Sequence, residues 1–236
     1  MNVAVIPARG GSKRIPQKNI KQFCGKPMIS YSIEVASSSG IFDDIIVSTD
    51  NLEIAEISKD YGASVPFIRP AELSDDFATT VDVMAHAVKW LQDNVGELSM
   101  VCCIYAASPF IQDKDLIKAY EISKNRSWNY VFAATSFSYP IQRAIKKLEN
   151  GGVEMFYQKH YGTRSQDLEE GFHDAGQFYF GKPETWINKE NIFQNNAEIV
   201  VLPRWRVHDI DTEEDWLNAE LIMKALIKER PLNELQ

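Results

Sequence analysis

The sequence predicts an α/β domain built on a mostly parallel, Rossmann-like sheet. Three observations carry that prediction: short apolar runs recur along the first 135 residues, amphipathic segments long enough to be helices separate them, and the chain opens directly on the first such run. Strands alternating with helices imply right-handed βαβ units and a sheet covered on both faces.

The elements follow in order. Val3 to Ala8 is a continuous apolar run, the mark of a strand buried on both faces, and Met28 to Ser37 reads as the first helix. Ile45 to Thr49, Val65 to Ile68, Val101 to Tyr105 and Tyr130 to Thr135 are the next strand runs. Between them lie helical patterns over Leu52 to Tyr61, Thr80 to Asp93 and Leu116 to Lys124; in the second of these Val83, Ala87, Val88 and Leu91 share one face. After Pro140 the rhythm changes. Ala144 to Leu148 and Val153 to Tyr157 flank Glu149-Asn150-Gly151-Gly152, and Asn-Gly-Gly supplies the positive φ angles that a hairpin turn needs. A polar stretch, 158 to 173, leads into Gln177 to Phe180, whose alternation predicts a strand rejoining the sheet. Ile199 to Leu202 makes one more strand. Thr212 opens a last helix through Leu217, Leu221, Ile222, Ala225 and Leu226, with Asp215 placed to complete a capping pair. The organisation is one domain over 1–236, with 140–170 as an insertion that forms a flap or a dimer arm.

Composition narrows the function. With 236 residues and 44% hydrophobic content the chain can bury one sizeable core. A formal net charge of −8 opposes nonspecific binding to nucleic acid or to an anionic membrane. The charge is uneven, however: residues 1–33 hold Arg9, Lys13, Arg14, Lys18, Lys21 and Lys26 and no acidic residue, a pattern suited to a small anion. Cys24, Cys102 and Cys103 offer neither a disulfide framework nor spaced metal ligands. No signal-peptide pattern opens the chain and no apolar stretch approaches membrane-spanning length, so a cytoplasmic protein is expected.

The basic residues concentrate in IPARGGSKRIPQKN, residues 6 to 19, directly behind the first strand. In open α/β sheets ligands gather at the carboxyl ends of the strands. Gly10 and Gly11 let backbone N–H groups approach an anion, Arg9 can fork two phosphate oxygens, and Lys13 and Lys18 add point charges. The spacing is neither that of a P-loop nor that of a dinucleotide fingerprint, and a solvated basic turn is the alternative. Near the other end, Asp209 and Asp211 sit two apart, so an extended backbone puts both carboxylates on one face with Ile210 turned inward. Such a pair either grips a hard cation such as Mg²⁺ or is simply solvated ahead of a helix capped by Thr212. Asn19 is within reach of a base or ribose. Asp50, ending the second strand run, faces either a ligand or only Asn51 and the following helix. His173, His208 and Ser108 lack the partners that would make them bases or nucleophiles.

Longer motifs give these residues a setting. IPARGGSKRIPQKNI followed by GKPMISYSI, then IIVSTDN, IRPAELSDDFATT, SPF and HDIDTEEDW, resemble the acylneuraminate (nonulosonic acid) cytidylyltransferases over nearly the whole chain. The resemblance implies a three-layer nucleotidyltransferase fold, of the kind found in nucleotide-diphospho-sugar transferases, and a reaction in which the anomeric hydroxyl of a keto acid sugar attacks CTP. It implies that CTP lies on Ala8, Arg9, Gly10, Gly11, Ser12, Lys13 and Lys18, with Arg69 and Thr79 or Thr80 also contacting the nucleotide and Asn19 able to reach its base or ribose. Arg9, Lys13, Lys18 and Asp211 would then be catalytic, Asp209 and Asp211 would hold Mg²⁺, and Arg164 would lie near the sugar or its carboxylate. Relatives of this kind are typically homodimers. The chain departs from the sialic acid pattern at Tyr105-Ala106-Ala107-Ser108-Pro109 and at Ala175-Gly176. Those departures favour a 5,7-diamino sugar of altered stereochemistry over sialic acid, with Tyr105, Arg164, Asp174 and Gln177 as the specificity residues. The rival readings are a cytidylyltransferase for sialic acid, legionaminic acid or Kdo, and a noncatalytic nucleotide-binding module of the same fold.

Overall fold

Asn2–Pro7 forms β1, with Val3 and Val5 turned to one layer of helices and Ala4 and Ile6 to the other. Successive strand side chains point to opposite faces, so a strand buried on both sides must be apolar throughout. The computed structural model describes residues 1–125 and 128–229. After β1 come β2 (Gln22–Phe23), β3 (Lys26–Pro27), α1 (Met28–Ser39), β4 (Asp44–Ser48), α2 (Leu52–Asp60), α3 (Thr80–Asn94), β5 (Met100–Ile104) and α4 (Asp113–Asn125). They are followed by β6 (Tyr130–Ser136), β7 (Ile145–Lys147), β8 (Val153–Met155), β9 (Phe172–Gly181), α5 (Pro183–Ile187), β10 (Ala197–Val201) and α6 (Glu213–Glu229).

The main sheet runs β10-β6-β9-β5-β1-β4. β1 is parallel to β4 and β5, and β10 is parallel to β6; only β9 runs against its neighbours. Helices α1, α2 and α4 pack one face through Ile29, Ile33, Ile54, Leu116 and Ala119. On the other face α3 packs through Met84, Ala87, Val88 and Leu91, and α5 through Trp186. The three-layer α/β architecture is therefore the one expected. Among the described residues no helix is long and apolar enough to cross a membrane.

Two strand expectations change. Residues 65–68 form no strand: the segment touches β4 only through the isolated parallel bridges Ile46↔Ser64 and Thr49↔Ile68. Pro66 and Pro70 lack the N–H that a ladder requires, which stops pairing from propagating. β9 begins at Phe172, well before Gln177, and its register against β6 shifts between Phe132 and Ala134. Gly176, at φ +60, lies in that bulge, where a side chain would be strained. The hairpin of β7 and β8 forms as expected and stands apart from the main sheet.

A third apolar cluster positions the site. Ile15 from the loop after β1, Phe110 from the loop after β5, Ile210, and Trp216 of α6 pack together with Phe23 and Met28. Ile15 and Ile210 are 1% and 2% exposed, and burying each side chain contributes about 1.5–3 kcal/mol. That burial fastens the chain's first loop to the segment ahead of its last helix.

Candidate active site

The carboxyl ends of β1 and β5 open on a cleft of about 340 Å³. Its walls come from the loop after β1, from Arg69 and the segment leading into α3, from Tyr105 to Ala107 beyond β5, and from Asp211. Arg9, Ser12, Lys13, Lys18, Asn19, Arg69, Thr80, Tyr105 and Asp211, all picked out in the sequence, are thus brought to one place.

The loop is braced from below. Ala8 is buried and its N–H donates to the Ser48 carbonyl at 2.9 Å, continuing the β1–β4 ladder by one residue. The Gly10 N–H donates to Asp50 Oδ1 at 2.9 Å, and Asp50 also lies 3.7 Å from Arg69 Nη2. Asp50 therefore organises the loop and Arg69 together. A Cβ on Gly10 would stand 2.9 Å from Asn51 Nδ2, so the close approach of the loop to the start of α2 needs glycine there; Gly11 has no atom within 4 Å of the equivalent position. Asn19 is buried, and its side-chain amide donates to the Arg9 carbonyl at 3.0 Å, which makes it a brace of the loop as well as a wall of the cleft.

The cations find acidic partners from two directions. Arg9 and Lys13 meet Asp76, at 2.9 and 2.5 Å. Arg14 and Lys18 meet Asp211, at 2.7 and 3.3 Å, and the Lys18 ammonium also donates to the Ile210 carbonyl at 2.9 Å. Arg69 is almost fully buried; its Nε donates to Ser74 Oγ at 3.1 Å and its Nη1 to the Ser48 carbonyl at 3.3 Å. Burial lowers its pKa, opposed by the neighbouring Asp50, and an arginine has enough margin to stay charged.

The Asp209 carboxyl is pushed up, first by desolvation and then by the charge of Asp211. Two neighbouring carboxylates, of which Asp211 lines the cleft, are a donor set that suits a hard divalent cation. Among the described residues no group of three or more His, Cys, Asp or Glu is placed to hold a metal. A two-carboxylate set matches Mg²⁺, which commonly takes its remaining ligands from substrate phosphates and water.

The residues expected at the nucleotide and at the sugar divide. Thr80 Oγ1 lies 3.0 Å from Tyr105 Oη, so the start of α3 and the end of β5 meet across the cleft. Burial, followed by Cys103, raises the Tyr105 pKa and keeps the phenol neutral. Thr79 instead caps α3, in a capping box with Asp82. Asp174 accepts from Tyr179 Oη at 2.6 Å and from the Gly176 N–H at 3.0 Å, which fixes its carboxylate within the bulge of β9. Gln177 is buried and donates to the Arg206 carbonyl at 2.7 Å, while its Oε1 has no hydrogen-bond partner among the described residues. Arg164 lies on the insertion, mostly exposed and paired with Asp167 at 2.7 Å. Ala8, Gly10, Gly11, Thr79, Arg164, Asp174, Gln177 and Asp209 are not among the residues lining the cleft.

Sequence reasoning missed several members. In the sequence Arg14 reads only as part of the basic run, yet in the fold it pairs with Asp211. Asp75 and Asp76 stand in the quoted IRPAELSDDFATT stretch, but nothing local says that they face the first loop. Arg206 and Asp115 form a buried bidentate ion pair, with Nη2 3.0 Å from Oδ1, behind Gln177. A carboxylate and an arginine 91 residues apart leave no local signal of their pairing.

Comparison with known proteins bears on this geometry. Residues 3–176 match the family model described as cytidylyltransferase. A Campylobacter jejuni protein named pseudaminic acid cytidylyltransferase is 49% identical over 95% of this chain and 97% of its own. A Campylobacter coli protein named post-translational flagellin modification protein B is 30% identical over 94% of each chain. Among solved structures, the CMP:2-keto-3-deoxy-manno-octonic acid synthetase complexed with CTP superposes with a TM-score of 0.67 at 16% identity, covering 95% of this chain and 99% of that one, a likeness of fold.

Proposed function

The chain belongs to the cytidylyltransferase family, and on that premise we propose that it transfers CMP from CTP to the anomeric hydroxyl of pseudaminic acid. The observation that carries this reading is the single cleft lined by Arg9, Lys13, Lys18 and Asp211 together with Tyr105, where Lys18 lies 3.3 Å from Asp211. The relative at 49% identity bears the name of that activity, and the flagellin-modifying relative suits a sugar destined for protein glycosylation.

In the reaction the anomeric oxygen forms a bond to the α-phosphorus while the bond from that phosphorus to the bridging oxygen of the β-phosphate breaks. Pyrophosphate leaves with the bond electrons, and the sugar hydroxyl gives up its proton to water. Arg9 and Lys13 neutralise the outer phosphates, and Lys18 holds charge near the α-phosphate end, beside Asp211. Arg69 and Thr80 face the nucleoside, and the Asn19 brace keeps the loop in its phosphate-facing form. Asp209 and Asp211 would hold Mg²⁺, which when bound supplies charge neutralisation at the phosphates and acidifies a hydroxyl brought against it. Tyr105, Asp174, Gln177 and Arg164 select the sugar, Tyr105 from the lining of the cleft.

The protein acts as a cytoplasmic homodimer. Tyr139, just ahead of the insertion, and Tyr161 on it are more than four-fifths exposed, and Ile145, Val153 and Phe156 of the insertion are also uncovered, apolar surface that a second copy would bury. Light scattering on the purified protein reads the stoichiometry directly. Its three free thiols, Cys102 and Cys103 fully buried, suit a reducing compartment. The catalytic reading is tested by CTP-dependent pyrophosphate release over a panel of keto acid sugars.

A further inference from the structure

The segment between Pro70 and α3 reaches back over the first basic loop. Arg9 Nη1 donates both to the Asp75 carbonyl and to Asp76 Oδ1, each at 2.9 Å, and the Lys13 ammonium donates to Asp76 Oδ2 at 2.5 Å. One carboxylate of the chain thus pairs with two cations proposed to receive phosphate, leaving one net positive charge among the three groups.

Both ends of this segment are pinned elsewhere. Ser74 Oγ accepts from Arg69 Nε at 3.1 Å and donates to the Pro70 carbonyl at 3.0 Å. At the other end Thr79 and Asp82 close the capping box of α3, and Asp82 binds Lys189 at 2.6 Å. The tip is folded by Asp75, whose Oδ1 accepts from the Phe77 and Ala78 N–H groups. The side-chain contact with the basic loop therefore rests on Asp76. Lys13 and Arg9 hold its carboxyl below the usual carboxylate range, so it is ionised at neutral pH. The contact is also open to solvent: the Lys13, Asp76 and Arg9 side chains are 78%, 46% and 39% exposed. Exposed ion pairs are weak, and a polyphosphate presents several charged oxygens against the single carboxylate here.

We propose that Asp76 is a displaceable counter-ion of the nucleotide site: it holds Arg9 and Lys13 until the triphosphate replaces it, and retakes them as pyrophosphate leaves. This rests on the reading that Arg9 and Lys13 receive the triphosphate. Asp76 is a positioning residue on this account, acting through the two cations, and the cost of displacing it is set against nucleotide affinity.

The test is calorimetric titration of inorganic pyrophosphate and of CTP into the wild type, Asp76→Asn, Arg9→Gln/Lys13→Gln, and the triple variant. Asp76→Asn is expected to tighten both ligands by about three- to tenfold, the scale of two exposed ion pairs. In the Arg9→Gln/Lys13→Gln background the same substitution should change nothing. Asp76→Ser should reproduce the gain, which separates lost charge from any property of asparagine. Unchanged or weaker binding by Asp76→Asn, alongside weaker binding by Arg9→Gln/Lys13→Gln, overturns the counter-ion role and leaves the phosphate reading standing. An equal gain in both backgrounds assigns the effect to net charge and also overturns it. If Arg9→Gln/Lys13→Gln binds as the wild type does, the phosphate reading itself falls.

Discussion

Lys18 and Asp211, 193 residues apart, meet at 3.3 Å. The loop after β1 reaches the segment ahead of α6 because Ile15 and Ile210 are buried in the same apolar cluster. Arg14 takes the other Asp211 oxygen at 2.7 Å, so one largely buried carboxylate sits between two cations and next to a second carboxylate, Asp209. The hydrophobic contact sets the distance, and the charges use it.

Asp211→Asn keeps the shape of the side chain and removes its charge. Turnover should fall by at least about 100-fold, the scale on which losing one preorganised electrostatic group is felt. Melting should move by only a few degrees, since the carboxylate contributes no apolar burial. Steady-state kinetics and a thermal melt on the same preparation check both halves; a kcat near that of the wild type would remove Asp211 from the proposed metal site.

Gly10 and Gly11 should differ sharply. A methyl group at Gly10 meets Asn51, the N-cap of α2, whereas at Gly11 it meets nothing. Gly10→Ala should cost about 1–3 kcal/mol as overpacking and weaken CTP binding, because the loop must move to make room. Gly11→Ala should melt like the wild type. Equal melting temperatures for the two variants would contradict the close approach at Gly10.

The ion pair behind the site should be costly to break. Arg206→Leu strands the buried Asp115 carboxylate and should destabilise the fold by about 3–5 kcal/mol in chemical denaturation. Adding Asp115→Asn removes the stranded charge, keeps an acceptor for the Gln112 N–H, and should recover part of the loss. If the double variant is no more stable than Arg206→Leu, the damage lies in lost packing and the ion-pair account fails.

Acid should reveal the cap of α3. Lys189, and then Thr79, hold the Asp82 carboxyl down to about 2, against roughly 3.9 for an unfolded aspartate. A depressed folded pKa adds stability that is fully present above about pH 4 and is lost as the pH falls toward 2. Asp82→Asn should therefore be less stable at pH 7 by about 1 kcal/mol, the usual size of a cap contribution. The gap should shrink between pH 4 and pH 2; a gap constant across that range would show that the charge of Asp82 plays no part.

β1, β4, β5 and β6 were legible because strands buried on both faces must be apolar throughout, and few other elements look like that. The early part of β9 was not: Phe172 and His173 are exposed and Gly176 breaks the register, so no alternation marks its start. Nor was α5, whose five residues are too few to show a period. In the site, Arg9, Lys13, Lys18 and Asp211 were legible from charge placement and motif resemblance. The Asp76 contact and the Arg206–Asp115 pair were not, since each joins residues 60 or more apart and neither partner's neighbours encode the meeting.

The central claim is most directly tested by pyrophosphate release from the purified protein with CTP, Mg²⁺ and a panel of pseudaminic, legionaminic and sialic acids and Kdo. Release is expected only when nucleotide, metal and sugar are all present, with pseudaminic acid giving the highest kcat/KM. Binding of CTP without release for every sugar would contradict it, and preference for another sugar would contradict its assignment of the substrate.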